Sequence, residues 1–184
     1  MPVKVQTRKA LLVSTNFIGL LVLIEVAASF GPLDLNRLGI RPRSIEGLVG
    51  IFFAPLLHAD IRHLAANALP LWILVTLLFA HQKYRPTRTF SWIWIGSGAG
   101  TWLIGRNVGN DVHIGASALI FGITTYLLLS GILMRSWRSF FIALAVFICF
   151  GGIFYGLIPQ NGMVSWEGHL SGALAGLYIA WRTH

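Results

Sequence analysis

The sequence predicts an all-α membrane protein, a compact bundle of six transmembrane helices with a first outer loop partly embedded in the membrane. Three observations predict it. Hydrophobic residues make up 55% of the 184-residue chain and charged residues only 11%, where a soluble domain carries about 25% charged. Six apolar runs approach the roughly 20 residues that cross a bilayer. The first connection between runs is long and carries an apolar stretch too short to span. The whole chain, 1–184, reads as a single domain.

The first run, residues 10–30, follows Lys4, Arg8 and Lys9 and superficially resembles a signal peptide. Its apolar part exceeds the usual h-region of about 7–15 residues, so it reads as a span that stays in the protein. The outer connection, residues 31–62, contains "GLVGIFFAPLL" at 47–57. An apolar piece of that length is re-entrant or interfacial rather than spanning. The remaining spans are read at residues 63–80, 89–105, 117–134, 140–158 and 168–181. The last is short and contains His169.

Basic residues set the orientation. Lys4, Arg8, Lys9, Lys83, Arg85, Arg88, Arg135, Arg138 and Arg182 fall on the side of the two termini, and Arg37, Arg41, Arg43, Arg62 and Arg106 on the other. The positive-inside rule then places both termini in the cytoplasm, as expected for a multi-pass protein of a bacterial inner (plasma) membrane. The net charge of +8 is dispersed between apolar runs without a continuous basic stripe, so no nucleic-acid partner is expected; the lipid bilayer is. The lone Cys149 excludes an intramolecular disulfide and reads as a small packing residue.

Three sets of polar residues sit where polar groups are costly. His63 and Asn67, at i and i+4, share one helix face near the outer end of the second span; they are either a polar pair bonding a neighbouring helix or part of a site. Ser117 follows Gly115 and Ala116, which let the backbone turn closely into a helix. It is either an N-cap or a nucleophile beside free backbone N–H groups that favour a developing negative charge. His169 shares a helix face with Gly172 and Gly176, small residues that let another helix approach. A metal centre of His58, His63 and His113 lacks an HExxH pattern or an acidic partner, so neither metal nor cofactor is expected. A serine nucleophile needs a base, which His169 can supply. Asn67, His63 and the Ser117 N–H can donate to an oxyanion. The topology puts all three sets at the outer ends of their spans.

On these residues the chain resembles the rhomboid intramembrane serine proteases. The resemblance rests on His63-x-x-x-Asn67, on Gly115-x-Ser117, and on His169-x-x-Gly172-x-x-x-Gly176, in that order on six spans, and covers essentially the whole chain. It implies a Ser–His dyad with Ser117 as nucleophile and His169 as base and then acid. It also implies an oxyanion hole from Asn67, His63 and the Ser117 N–H, and a membrane-dipping first loop. Gly115, Gly172 and Gly176 are the implied packing residues, and Phe121, four beyond the serine, the residue that stacks on the histidine. Three departures stand out. Ala118 replaces the glycine of GxSG, Phe121 lacks a hydroxyl, and "GIRPRSIEGLVG" stands where a Trp-Arg pair is common.

The expected function is an intramembrane serine endopeptidase that cleaves transmembrane protein substrates near the outer face. The loops at 106–113 and 160–165 are expected to wall a water-filled cavity there. Two other readings compete. One is a catalytically inactive rhomboid-like protein that binds membrane clients. The other is a small transporter or channel, for which Glu25, the only carboxylate deep in an apolar run, makes a poor relay.

Overall fold

The computed structural model describes residues 3–31, 34–107, 112–159 and 165–184. Among the described residues the protein is all-helical. The helices are α1 (Val3–Phe30), α2 (Gly50–Phe53), α3 (Ile61–Phe79), α4 (Pro86–Ile104), α5 (Ser117–Leu133), α6 (Trp137–Phe150) and α7 (Trp166–Thr183). The only extended pairing among them is an isolated antiparallel bridge between Ile40 and His113.

Most helices start a few residues before the apolar runs do, because polar ends such as Arg8, Lys9, Thr87 and Arg88 continue the helix while their heads reach polar surroundings. One expected span changes character. Residues 140–158 leave α-geometry after Phe150 and continue as a 3₁₀ segment, Gly151–Leu157. Two consecutive glycines at that junction weaken the α-helix. Three helical stretches are long and apolar enough to cross a membrane by length and composition: Gln6–Phe30, Ile61–Phe79 and Trp137–Leu157. The 17-residue α5 is apolar but shorter, and α4 and α7 carry more small and polar residues.

Packing explains that division. Helix α5 is buried on every side, from Leu119 through Leu127 without interruption, as expected of a helix at the centre of a bundle. Helix α7 lies against it in parallel through Gly172 and Gly176, where an added Cβ would meet the carbonyl oxygens of Ala118 and Gly122 at 2.0 Å each. Thr125 donates its hydroxyl across this seam to the Ala173 carbonyl at 2.9 Å. Helix α4 runs antiparallel to α7, with Gly100 packed on Ser171 and Gly96 on Ala175. Helix α1 meets α3 through Ser14–Thr76 and Trp72–Thr15 hydrogen bonds at 2.7 and 3.0 Å. Helix α6 packs on α5 where Gly131 faces Ala143. Cys149 on α6 is exposed rather than packed inside.

The N-terminal ends of α3, α5 and α7 thus share one end of the bundle, and those of α1, α4 and α6 the other. The long first loop covers the former end. Ile51 of α2 presses on Gly98 of α4, within 3.0 Å of where a Cβ would stand, while Phe52 and Phe53 face outward, exposed. Arg43 ties the loop down by donating to the Leu103 and Gly105 carbonyls at 3.1 and 2.8 Å. These carbonyls lie at the end of α4, where a cation is favoured. The Trp102 indole donates to the Ser44 carbonyl at 2.8 Å beside it.

Candidate active site

Ser117 is the first residue of α5, and Ala116 occupies the cap position. The serine hydroxyl does not cap the helix; its Oγ lies 3.0 Å from Nε2 of His169. Gly115 makes the approach possible. Its φ of +113° is a conformation that glycine adopts without strain, and its N–H bonds the Ala54 carbonyl at 2.9 Å.

His169 sits in the first turn of α7 and is buried. Its Nδ1 lies 2.9 Å from the Gly156 carbonyl. A carbonyl only accepts, so Nδ1 carries the hydrogen and Nε2 presents a lone pair to the Ser117 hydroxyl. The Phe121 ring stacks on the imidazole at 4.2 Å between centroids and 9° between planes. A hydrogen bond and a ring stack therefore fix the base in tautomer and in plane. The pair can pass a proton from Oγ to Nε2.

His63 and Asn67 occupy the first two turns of α3, whose cap is Asp60, accepting the His63 N–H at 2.8 Å. That bond is the first cause holding the Asp60 carboxyl below its ordinary range. The His63 ring lies against Gly115, where a Cβ would meet Cε1 at 2.7 Å and Nε2 at 2.8 Å. Its Nδ1 accepts the Ala59 N–H at 3.4 Å, which leaves the hydrogen on Nε2, the nitrogen beside Gly115 and hence near the turn into Ser117. Asn67 is buried and donates one amide hydrogen to the His63 carbonyl at 3.0 Å, so a second remains. The N–H groups of Ser117 and Ala118 precede the first helical bonds of α5, which run from Leu119 and Ile120 to the Ala116 carbonyl, so they have no acceptor within their own helix.

A cavity of about 30 Å³ adjoins Ser117, and hydroxyls of Ser97, Thr101 and Ser165 line it. One or two waters need roughly that volume and two to four polar partners each. Of the loops expected to wall a cavity, residues 108–111, including Asp111, and 160–164 lie outside the described residues.

Two fastenings at the start of α7 carry no motif. Glu167, 1% exposed, pairs with Arg106 across 2.5 Å. His113 donates from Nε2 to the Arg106 carbonyl at 2.9 Å, which leaves Nδ1 to accept the Ser165 hydroxyl at 2.6 Å. Ser165 in turn accepts the Gly168 N–H as the α7 cap. The segment after α4 is thereby pinned to the helix turn that holds His169. The sequence offered one signal for this, a carboxylate two residues before His169 in an apolar region. His58 and His63 lie edge to face at 5.1 Å, whereas both His113 nitrogens are engaged elsewhere. Among the described residues, no group of three His, Cys, Asp or Glu side chains converges.

The model of the Rhomboid domain family matches residues 46–184. Uncharacterized proteins of Mycobacterium tuberculosis and Mycobacterium bovis are each 45% identical over 173 residues, 90% of this chain and 72% of theirs. An uncharacterized protein of Mycobacterium leprae is 39% identical over 90% of this chain and 68% of its own. No solved structure matches.

Proposed function

The chain belongs to the rhomboid family, and with that as premise we propose that this integral membrane protein is an intramembrane serine endopeptidase working through Ser117 and His169. The observation that carries the reading is the 3.0 Å approach of Ser117 Oγ to a His169 ring whose opposite nitrogen is already committed to Gly156.

In the proposed reaction the Ser117 oxygen attacks the carbonyl carbon of a substrate peptide bond as its proton moves to His169 Nε2. The oxyanion that forms accepts hydrogen bonds from the Ser117 N–H, the second Asn67 amide hydrogen and His63 Nε2. His169 then gives its proton to the leaving amine, and an acyl-serine remains. A water from the hydroxyl-lined cavity, deprotonated by the same nitrogen, hydrolyses the ester and restores the serine. A neutral carbonyl orients the base in place of a carboxylate. It fixes the tautomer but supplies no full charge to the imidazolium, so precise placement carries more of the burden.

The substrate in this reading is a transmembrane helix. Helical hydrogen bonds hide its peptide bonds, so residues that loosen the helix near the site expose them. Six spans, α1 and α3 through α7 with the 3₁₀ tail of α6, cross the bilayer. Both termini are cytoplasmic, and the first loop dips into the outer leaflet with Phe52 and Phe53 toward lipid. Packing supports the two less apolar spans: α4 and α7 face protein along their small residues rather than lipid.

The test is incubation of the purified chain, in detergent and in liposomes, with a model transmembrane substrate carrying glycine and proline near one end. Mass spectrometry should find a fragment cut within that end, absent with Ser117→Ala and with His169→Ala at unchanged thermal melts. Equal cleavage by either variant would sink the dyad. No cleavage by a folded wild-type chain across a panel of such substrates favours the inactive, client-binding alternative.

A further inference from the structure

The end of the bundle away from Ser117 carries an open cleft of about 420 Å³ where α1, α3 and α4 meet. That volume lies within the range of small-ligand sites. Lys9 of α1 and Arg85 and Arg88 at the start of α4 line it, together with the apolar Ala10, Val13 and Phe79. The three cations form no ion pair among the described residues. The ion pairs found there, Arg37–Asp34, Arg41–Glu46 and Arg106–Glu167, all lie at the opposite end.

The chain has only six carboxylate side chains, and their placement leaves the cleft no counter-ion of its own. Asp34, Glu46 and Asp60 lie in the first loop or its junction with α3, Glu167 starts α7, and Glu25 on α1 is close enough to Asp60 to feel its charge. Asp111, outside the described residues, belongs to the connection between α4 and α5. At this end of the bundle lie Arg8, Lys9, Lys83, Arg85, Arg88, Arg135, Arg138 and Arg182, with no carboxylate side chain among the described residues there. Arg85 also holds φ at +47°, where a glycine would rest without strain and a larger residue does not.

We propose that this cleft binds the phosphate of an anionic phospholipid headgroup. The three cations hold the phosphate oxygens, which arginine grips well in pairs. Basic clefts between membrane helices suit such headgroups. The same chemistry would accept a soluble phosphate, but the apolar wall assigns lipid. Val13 opens onto the exposed apolar surface of α1 that includes Leu12 and Leu20, so an acyl chain continues from the cleft along that helix.

The experiment releases the full chain from nanodiscs of phosphatidylcholine with a minority of phosphatidylglycerol and reads retained lipid by native mass spectrometry. Phosphatidylglycerol should be retained in preference to phosphatidylcholine. The triple variant Lys9→Gln, Arg85→Gln, Arg88→Gln should lose retention at least tenfold, and Arg88→Gln alone, at an exposed helical position, severalfold at an unchanged melt. Lys83→Gln with Arg182→Gln, cations of the same end outside the cleft, should stay within twofold. Millimolar glycerol 3-phosphate or inorganic phosphate should not displace the lipid. Equal retention of the two lipids, a cleft variant that behaves as wild type, or an equal loss in the Lys83/Arg182 control overturns the site. Displacement by the soluble phosphates overturns the assignment to lipid.

Discussion

Gly172 lies so close beneath Ala118 that a methyl group on it would stand 2.0 Å from the Ala118 carbonyl oxygen. This contact seats α7 on α5 one turn beyond His169 and beside Ser117, so it sets the distance between the two. An alanine in a helix ordinarily gains up to about 1 kcal/mol over glycine; here the overlap is with backbone, which cannot step aside. Gly172→Ala should therefore lower the thermal midpoint, as overpacking by about 1–3 kcal/mol does, and cut cleavage more than tenfold. Gly19→Ala on α1, with open space around it, is the control and should not destabilise. A wild-type melt and rate for Gly172→Ala would contradict the packing described.

Asn67→Ala tests the oxyanion assignment. A donor to charge that exists only near the transition state lowers turnover and leaves the Michaelis constant nearly unchanged. One lost donor typically costs on the order of 10²–10³. A loss somewhat below that is expected, since His63 Nε2 and the Ser117 N–H remain. An unchanged turnover, or one explained wholly by unfolding, would make Asn67 a packing residue of α3.

Arg106 and Glu167 should be coupled. Removing one partner of a buried pair costs about 3–5 kcal/mol when both are desolvated. Arg106 is about a third exposed, so Arg106→Ala should cost about 3 kcal/mol or less. Glu167→Gln should cost less than Arg106→Ala, and the double variant should recover part of the loss. Strict additivity of the melts across this cycle would show the pair to be uncoupled.

His58, in the turn before α3, gives stability a pH dependence. Burial is the main cause that lowers its pKa to about 4, with the nearby His63 charge second. The ring is neutral when folded, while in the unfolded chain it takes a proton near pH 6.5. Its contribution is thus complete above about pH 6.5 and is lost as pH falls toward 4. The thermal midpoint should drop over that window, and less steeply in His58→Phe. Parallel curves for the two proteins would remove His58 as the cause.

Ser117, His169, Asn67 and the glycine faces were legible because each is a small or polar residue in an apolar run, and helix periodicity says which of them share a face. The structure brings Ser117 to His169 and His63 to Gly115. For Asn67 it shows a bond within α3 alone. The Gly156 carbonyl that orients His169 was not legible, since a backbone oxygen leaves no mark in a sequence. Glu167 was visible as a residue but not as a buried ion, because its partner lies about sixty positions away. The span assignments followed hydropathy, which finds helices that face lipid, such as α1 and α6. It describes α5 less well, because protein surrounds it and it can be shorter, and α4 and α7 less well, because the faces they turn to protein carry small and polar residues. The 3₁₀ tail of α6 follows a Gly151–Gly152 pair whose effect on helix geometry the apolar count does not register.

The uneven division of charge between the two ends also has an electrical meaning. Among the described side chains eight cations lie at the cleft end, whereas the other end sets five arginines against its carboxylates. Carrying one elementary charge through 100 mV is worth about 2.3 kcal/mol. In an energised membrane the two ways of threading the molecule thus differ by an amount on the order of ten kcal/mol or more. On the proposed topology, with the cleft end at the negative face, the voltage favours that threading by an amount comparable to the stability of a folded domain.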